Sequence, residues 1–319
     1  MPDDQPIHPH DPWADYYDCV YKLTFGERYQ QFTDRTLGVI QELAAPPARI
    51  IEFGAGTGRL AIPLAQLGSR VTAVEASASM CDVLRAKAQA GVEGAVVRPC
   101  AACRSRSVPE AKQGRVELEI FNQTICERLP VDGFDLGTCV FTVLNYLVDE
   151  PRLRQFAAVA VGAIRPGGRL LVSFVEDMRP MQRCLNDRQK EGKSPDGRCS
   201  LERNVNIRHV GGRLFEYHEA FRLNEDGQQR HGLEKPFPPF LLREWSQAEI
   251  IEAFEAAGFS KEADLSSRFS ETGEAYLLFR RSPDKPDPWT VPPDWEGPFP
   301  PPKTTRIILD LKPGTEGDV

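Results

Sequence analysis

The stretch Ala48-Arg49-Ile50-Ile51-Glu52-Phe53-Gly54-Ala55-Gly56-Thr57-Gly58-Arg59-Leu60 is an apolar run that breaks into glycines and resumes as an Ala- and Leu-rich pattern. That order predicts a strand, a tight loop and a helix. Glycines at 54, 56 and 58 permit positive φ and leave no side chain between the loop and a ligand lying against it. The helix that follows points its first amides at the same ligand. A second apolar run, Arg70-Val71-Thr72-Ala73-Val74, ends in Glu75, roughly twenty residues after the first glycine. A carboxylate there can accept hydrogen bonds from both hydroxyls of a ribose.

The third glycine separates two nucleoside cofactors. The dinucleotide fingerprint G-x-G-x-x-G requires glycine at position 59, which is Arg59, so a nicotinamide dinucleotide is not expected. The observed G-A-G-T-G, preceded by Glu52, resembles the first motif of the class I S-adenosylmethionine-dependent methyltransferases. Its neighbours agree: Glu75-Ala76-Ser77 resembles that family's ribose-binding strand end, and Gly133-Phe134-Asp135-Leu136 its fourth strand. Ile164-Arg165-Pro166-Gly167-Gly168-Arg169-Leu170 is similar to the turn into its fifth. The resemblance covers residues 13–175 and 243–281.

It implies an α/β fold: a Rossmann-like, doubly wound, mostly parallel sheet with a small antiparallel insertion over the cleft. It also implies S-adenosyl-L-methionine as cofactor, held by Glu52, Gly54, Ala55, Gly56, Gly58, Glu75, Ala76, Met80 and Phe141. Relatives place an acidic residue against the adenine amino group after strand three. Here Asn122-Gln123-Thr124-Ile125 stands instead, so an oxygen of Asn122, Gln123 or Thr124 is expected to accept that bond, with Gln123 and Thr124 the cofactor-binding candidates. The expected reaction is methyl transfer to nitrogen or oxygen of a small-molecule acceptor. Protein or RNA methylation, or a non-catalytic cofactor-binding scaffold, are the alternatives. The D/N-P-P-Y/F motif of DNA and glutamine-amide methylation is replaced by Phe141-Thr142-Val143-Leu144, so DNA is not an expected substrate.

With 319 residues and 41% hydrophobic content, the chain can bury a full core and carry an insertion besides. A formal net charge of −7 offers no general attraction for nucleic acid. No apolar run approaches the roughly 20 residues that span a bilayer, and the N-terminus lacks signal-peptide character, so a cytoplasmic protein without membrane association is expected. The oligomeric state cannot be read. Eight scattered cysteines are expected as free thiols. Cys100 and Cys103 have metal spacing but no second ligand pair nearby, so no metal is expected.

Along the chain, residues 1–48 read as a loose Pro- and His-rich start followed by one or two helices from Trp13 to Leu43, a lid over the cofactor in similar enzymes. Residues 49–175 form the cofactor-binding core, with a long basic loop at 91–115. Residues 176–242 form the insertion. Within it two runs joined by Gly211-Gly212 predict a hairpin pairing His209 with Leu214, Ile207 with Glu216 and Val205 with His218. That register sets His209, Glu216 and His218 on one face and Phe215, Tyr217 and Phe221 on the other. Residues 243–281 return to the core through a helix with Ser246 as N-cap and Glu249 three residues on. Residues 282–319 read as a loosely docked Pro-rich tail containing one short apolar run, Ile307 to Leu311, for which a strand added to an edge or a partner is the alternative.

A hydroxyl or ammonium acceptor needs a base, and His209, Glu216 and His218 are the candidates in the predicted hairpin. Tyr17 and Tyr21 are placed to meet the sulfonium through cation–π contact. With Tyr17 and the two histidines as catalytic candidates, Tyr21, Asn145, Tyr146 and Tyr217 complete the set as the acceptor-binding candidates.

Overall fold

The alternation of apolar runs and helical segments folds into two sheets, seen in a computed structural model that describes residues 8–93, 114–186, 190–234, 236–283 and 303–311. A 3-10 turn (Asp11–Tyr16) leads into α1 (Tyr17–Phe25) and α2 (Glu27–Leu43). Then come β1 (Arg49–Phe53), α3 (Ala61–Gln66), β2 (Arg70–Glu75), α4 (Ala78–Glu93), β3 (Gly114–Asn122) and β4 (Phe134–Cys139). A second 3-10 turn (Val143–Tyr146) precedes α5 (Glu150–Ala163) and β5 (Ile164–Phe174). The insertion supplies α6 (Arg179–Leu185), β6 (Lys190–Lys193), β7 (Cys199–Gly211), β8 (Leu214–Glu225), β9 (Gln228–His231) and β10 (Phe240–Arg243). The chain returns through α7 (Gln247–Ala257), β11 (Phe259–Asp264), β12 (Ala275–Arg281) and β13 (Lys303–Leu311).

The main sheet runs β11-β12-β5-β4-β1-β2-β3-β13, with parallel pairing from β5 through β3 and antiparallel pairing at both ends. Its central strands are buried on both faces, which is why Ile50-Ile51-Glu52-Phe53 reads as a continuous run rather than an alternation. Phe156, Phe254 and Trp245 cover one face from α5, α7 and the segment before α7. Ile40, Leu64 and Leu84 cover the other from α2, α3 and α4. The result is doubly wound, as the resemblance implies. The capping box forms, with the Ser246 hydroxyl accepting from the Glu249 amide, and Gly258 ends α7 at φ 119°.

Two expectations need correction. Strand β13 pairs with β3 along its whole length, from Lys303 against Asn122 to Leu311 against Gly114, so the apolar run is an edge strand of the core rather than a loosely docked tail. Its Ile307 is buried with the α3–α4 layer, and Arg85 on α4 donates to the Thr305 hydroxyl at 3.0 Å. The hairpin is also slipped by one residue. The loop is Gly212-Arg213, a bulge falls between His209 and Gly211, and Ile207 faces Tyr217, Arg208 faces Glu216 and Asn206 faces His218. Because side chains alternate with a period of two, that slip separates His209 from Glu216 and His218. The basic 91–115 loop from 94 to 113, Cys100, Cys103 and the segment 284–302 lie outside the described residues.

Candidate functional site

Strands β1, β2 and β4 bring their carboxyl ends together, and the glycine loop lies across that edge. The Gly54 and Ala55 amides donate to the Val74 carbonyl at 2.8 and 3.0 Å, which locks the loop to β2. Gly54 has φ 77°, and a Cβ on it would lie 2.5 Å from Val143, so only glycine fits between the loop and the turn after β4. Gly56 differs. At φ 53° its missing Cβ points into open space with nothing within 4 Å, a floor on which a ligand can lie against bare backbone.

Two buried carboxylates lie near that floor. Glu75 accepts from the Gly56 amide and the Ser77 amide, both at 2.8 Å, with lone pairs left for ligand hydroxyls. Burial raises its pKa. Glu52 accepts from the Ala61 amide at the start of α3, and its Oε2 is buried with no hydrogen-bond partner among the described residues. Burial pushes its carboxyl up to about 8, and the nearby Glu75 charge adds to the shift. An orphaned carboxylate oxygen, a second carboxylate shaped for a diol and an open glycine floor fit a cationic nucleoside such as S-adenosylmethionine.

The N-terminal segment closes over this floor with polar latches. Asp11 accepts from the Ser77 hydroxyl at 2.5 Å and the Ser79 amide at 3.2 Å. Asp18 accepts from the Thr57 hydroxyl and the Lys87 ammonium, both at 2.7 Å. Arg59, in the place of the dinucleotide glycine, lies between the Tyr29 and Phe141 rings at 3.9 and 4.1 Å and donates to the Tyr29 carbonyl and the Thr33 hydroxyl. It thereby ties the loop to α2.

Beside the floor, aromatic residues from four elements meet. Tyr17 stacks on Tyr21 with ring centroids 4.5 Å apart, Tyr146 on Phe240 at 5.3 Å, and Phe240 on Tyr217 at 4.8 Å. His10 lies against Trp13, Tyr17, Tyr146 and Phe240, and its Nε2 is 2.8 Å from the Tyr146 hydroxyl. Burial keeps the Tyr17, Tyr146 and Tyr217 phenols protonated. Below this cluster Phe141 and Thr142 take positive φ values of 62° and 63°, a pair of left-handed non-glycine residues at the strand ends.

The structure thus brings together Tyr17, Tyr21, Tyr146 and Tyr217. It removes others from the acceptor side. His218 lies on the outer face of the insertion, bound to Glu216 at 2.6 Å and to Arg208 at 2.9 Å, and His209 turns to the exposed hairpin end against Phe215 and the Gly212 carbonyl. Neither belongs to the aromatic cluster at the strand ends. Asn145 is fully buried, donating to the Val175 and Arg243 carbonyls and accepting from the Val175 amide, so it pins the chain and has nothing left for an acceptor. Gln123 donates to the Glu127 and Arg128 carbonyls, Thr124 is exposed, and the Phe141 ring packs on Arg59 and Phe32. Met80 is buried at the start of α4, its amide donating to the Ser77 hydroxyl. Sequence reasoning missed His10, Asp11, Asp18 and Lys87. The dense run Asp11-Pro12-Trp13-Ala14-Asp15-Tyr16-Tyr17-Asp18 was the available signal, since acids rarely alternate with that many rings in a loose terminus.

Comparison with known proteins agrees with this geometry. Residues 50–112 match the family model of a methyltransferase domain. A putative methyltransferase of Geobacillus sp. (strain WCH70) is 29% identical over 162 residues, 51% of this chain and 56% of the relative, so the match spans about half the length of that curated protein. Among solved structures, DesVI of Streptomyces venezuelae superposes with a TM-score of 0.62 at 17% identity over 84% of this chain and 98% of its own. CalS10 of Micromonospora echinaspora, described as an amino pentose methyltransferase with S-adenosylmethionine bound, gives 0.57 at 18% over 83% and 96%. Residues 50–112 thus match a methyltransferase domain, and the fold is the one shared with the S-adenosylmethionine-dependent methyltransferases among the solved structures. Among the described residues no helix is long and apolar enough to cross a membrane.

Proposed function

We propose that this chain transfers the methyl group of S-adenosylmethionine to nitrogen or oxygen of a small polar acceptor. The observation that carries the reading is the pair of buried carboxylates, Glu52 and Glu75, near the open Gly56 floor, with Glu75 bound to the Gly56 amide. Two buried acids with raised pKa values favour a cationic ligand, and one of them offers lone pairs to a diol.

The cofactor supplies an activated methyl group through its own sulfonium. The protein supplies position. Holding nucleophile and methyl in line is worth about 7 to 11 kcal/mol, more than the roughly 3 to 5 kcal/mol of acid–base help. Glu75 and the glycine loop hold the nucleoside, Asp11 and Asp18 keep the lid shut against water, and the Tyr17, Tyr21, Tyr146 and Tyr217 phenols line the acceptor side. CalS10 acts, by its description, on an amino pentose. An acceptor of similar size and polarity, bearing amine and hydroxyl groups, suits a chamber lined by phenols.

Isothermal titration tests the reading. S-adenosylmethionine and S-adenosylhomocysteine should both bind, NAD should show no saturable heat, and a metabolite screen with labelled cofactor should yield a methylated small molecule. Binding of NAD in preference to both adenosyl ligands would overturn it.

A further inference from the structure

His10 lies at the strand ends with the His8 ring 5.5 Å away, and it is held by three elements at once. Its backbone belongs to the N-terminal segment, its Nε2 meets the Tyr146 hydroxyl of the turn after β4, and its ring packs on Phe240 of the insertion. Trp13 and Tyr17 close the remaining sides, with ring centroids at 5.2 and 5.7 Å. The other ring nitrogen, Nδ1, is shut off from solvent and has no hydrogen-bond partner among the described residues.

A buried polar nitrogen without a partner carries a desolvation penalty of about 1 to 3 kcal/mol unless a ligand satisfies it. The surroundings say which ligand. Besides Tyr17 and Tyr146, the charged and titratable groups near His10 are His8 and Asp11, and Asp11 is already committed to Ser77 and Ser79. The nearest carboxylate of the insertion's inner face, Glu219, is bound at 2.6 Å to the buried Arg203. Among the described residues no carboxylate hydrogen-bonds the ring, and its neighbours are mainly apolar or phenolic, so the surroundings favour an uncharged group over an ammonium.

We propose that His10 is an acceptor-binding residue: Tyr146 accepts from Nε2–H and fixes the tautomer, and the Nδ1 lone pair accepts a hydrogen bond from the N–H or O–H of an uncharged amine or alcohol. This rests on the methyl-transfer reading and names the residue that aims the nucleophile. Burial lowers the ring's pKa to about 3, which keeps Nδ1 unprotonated at neutral pH and makes the ring a poor store for a proton. Its part is therefore to orient the nucleophile, whose proton leaves to solvent after transfer. The second nitrogen of a histidine is set by what the first one binds, and Tyr146 is here the residue that does the setting.

The experiment uses the full chain with histidine rings labelled by nitrogen-15, the His10 signals assigned by loss in His10→Ala. In the free protein His10 should be the Nε2–H tautomer, and Tyr146→Phe should disturb that preference. Protein saturated with S-adenosylhomocysteine is then titrated with ethanolamine under alkaline conditions, a probe carrying both nucleophile types. The Nδ1 resonance should move on titration while Nε2–H persists. A proton on Nδ1 in the free protein, or a resonance unmoved at the highest probe concentration, overturns the proposal. With ethanolamine and labelled cofactor, His10→Ala should lose at least about tenfold in kcat/KM, with S-adenosylhomocysteine affinity within about twofold of wild type and part of the rate returned by added imidazole. Tyr146→Phe, which keeps the ring volume, should lose a smaller factor and covers the case of His10→Ala failing to fold. Wild-type rates in both variants would sink the role of His10 and leave methyl transfer standing. A wild-type protein that bound no adenosyl ligand would instead sink the methyl-transfer reading, with the tautomer measurement still deciding the His10–Tyr146 bond.

Discussion

Glu52 gives the cofactor cleft a pH signature. Its carboxyl titrates near 4.5 unfolded and about 8 folded, so between those values the folded protein holds a proton that the unfolded chain has released. The sign follows: below about 4.5 the group costs no stability, and the cost grows with rising pH until about 8. A cation bound at the loop favours the ionised form. Cofactor binding near neutrality should therefore release protons, and affinity should strengthen with rising pH and level off above about 8. Titration calorimetry in two buffers of different ionisation enthalpy measures this directly, and Glu52→Gln should abolish the release. An absence of proton release in the wild type would show that Glu52 is not coupled to the ligand. At the neighbouring positions, Gly56→Val puts a branched side chain into the open floor and Glu75→Ala removes the diol acceptor. Each should weaken S-adenosylmethionine binding at least tenfold, about 1.4 kcal/mol, with folding checked by circular dichroism; unchanged affinity in folded variants would move the cofactor elsewhere.

The hairpin shows how far an element can be read from its residues. Gly211-Gly212 announced a tight turn and the alternating pattern announced two strands, and β7 and β8 are there. The bulge at Val210 was invisible, because nothing in His209-Val210-Gly211 marks which residue drops out of the ladder, and one unpaired residue reverses every facing pair. Hence Phe215, Tyr217 and Phe221 were legible as the buried face by their apolarity, with Glu216 and His218 opposite them by alternation, whereas His209 was placed by register alone and changed faces. The cofactor half was legible because glycine spacing and a terminal acid are local signals. His10 meets Tyr146 across 136 residues, and no periodicity encodes such a contact. The corrected faces make a prediction: Tyr217→Phe should change the rate with a real acceptor by tenfold or more, about 1.4 kcal/mol, while His218→Phe should leave it within about twofold. A large effect of His218→Phe in steady-state assays would mean that the outer face takes part in recognition.

At the scale of the molecule, β13 covers what would otherwise be the open edge of β3, the strand next to the cofactor-binding β2. Truncation after Arg281 exposes that edge and the apolar surface under Ile307. The melting temperature should fall by several degrees, since about 1 kcal/mol corresponds to roughly 2–4 °C in a domain of this size, and light scattering should reveal self-association. An unchanged transition in scanning calorimetry would mean the strand contributes nothing to the body.

The lid has two unlike sides. Toward the insertion it is joined by apolar packing, Trp13, Cys19 and Val20 against Leu201, Phe221, Leu223 and Phe237, and by the buried Arg203, which reaches Thr24 and lies near the Tyr21 ring. Toward the glycine loop and the start of α4 its first part, residues 11–25, is joined by two aspartates through hydrogen bonds and one ion pair, while α2 stays with the core through Arg59, Val39 and Ile40. Salt loosens the second kind of joint and tightens the first. That asymmetry puts the salt-sensitive contacts over the nucleoside site and predicts a lid that opens together with the insertion. Spent cofactor and methylated product would then leave through one opening event, so their release rates should rise in parallel with ionic strength and with Asp18→Asn, a kinetic linkage that stopped-flow measurements of the two departures can follow side by side.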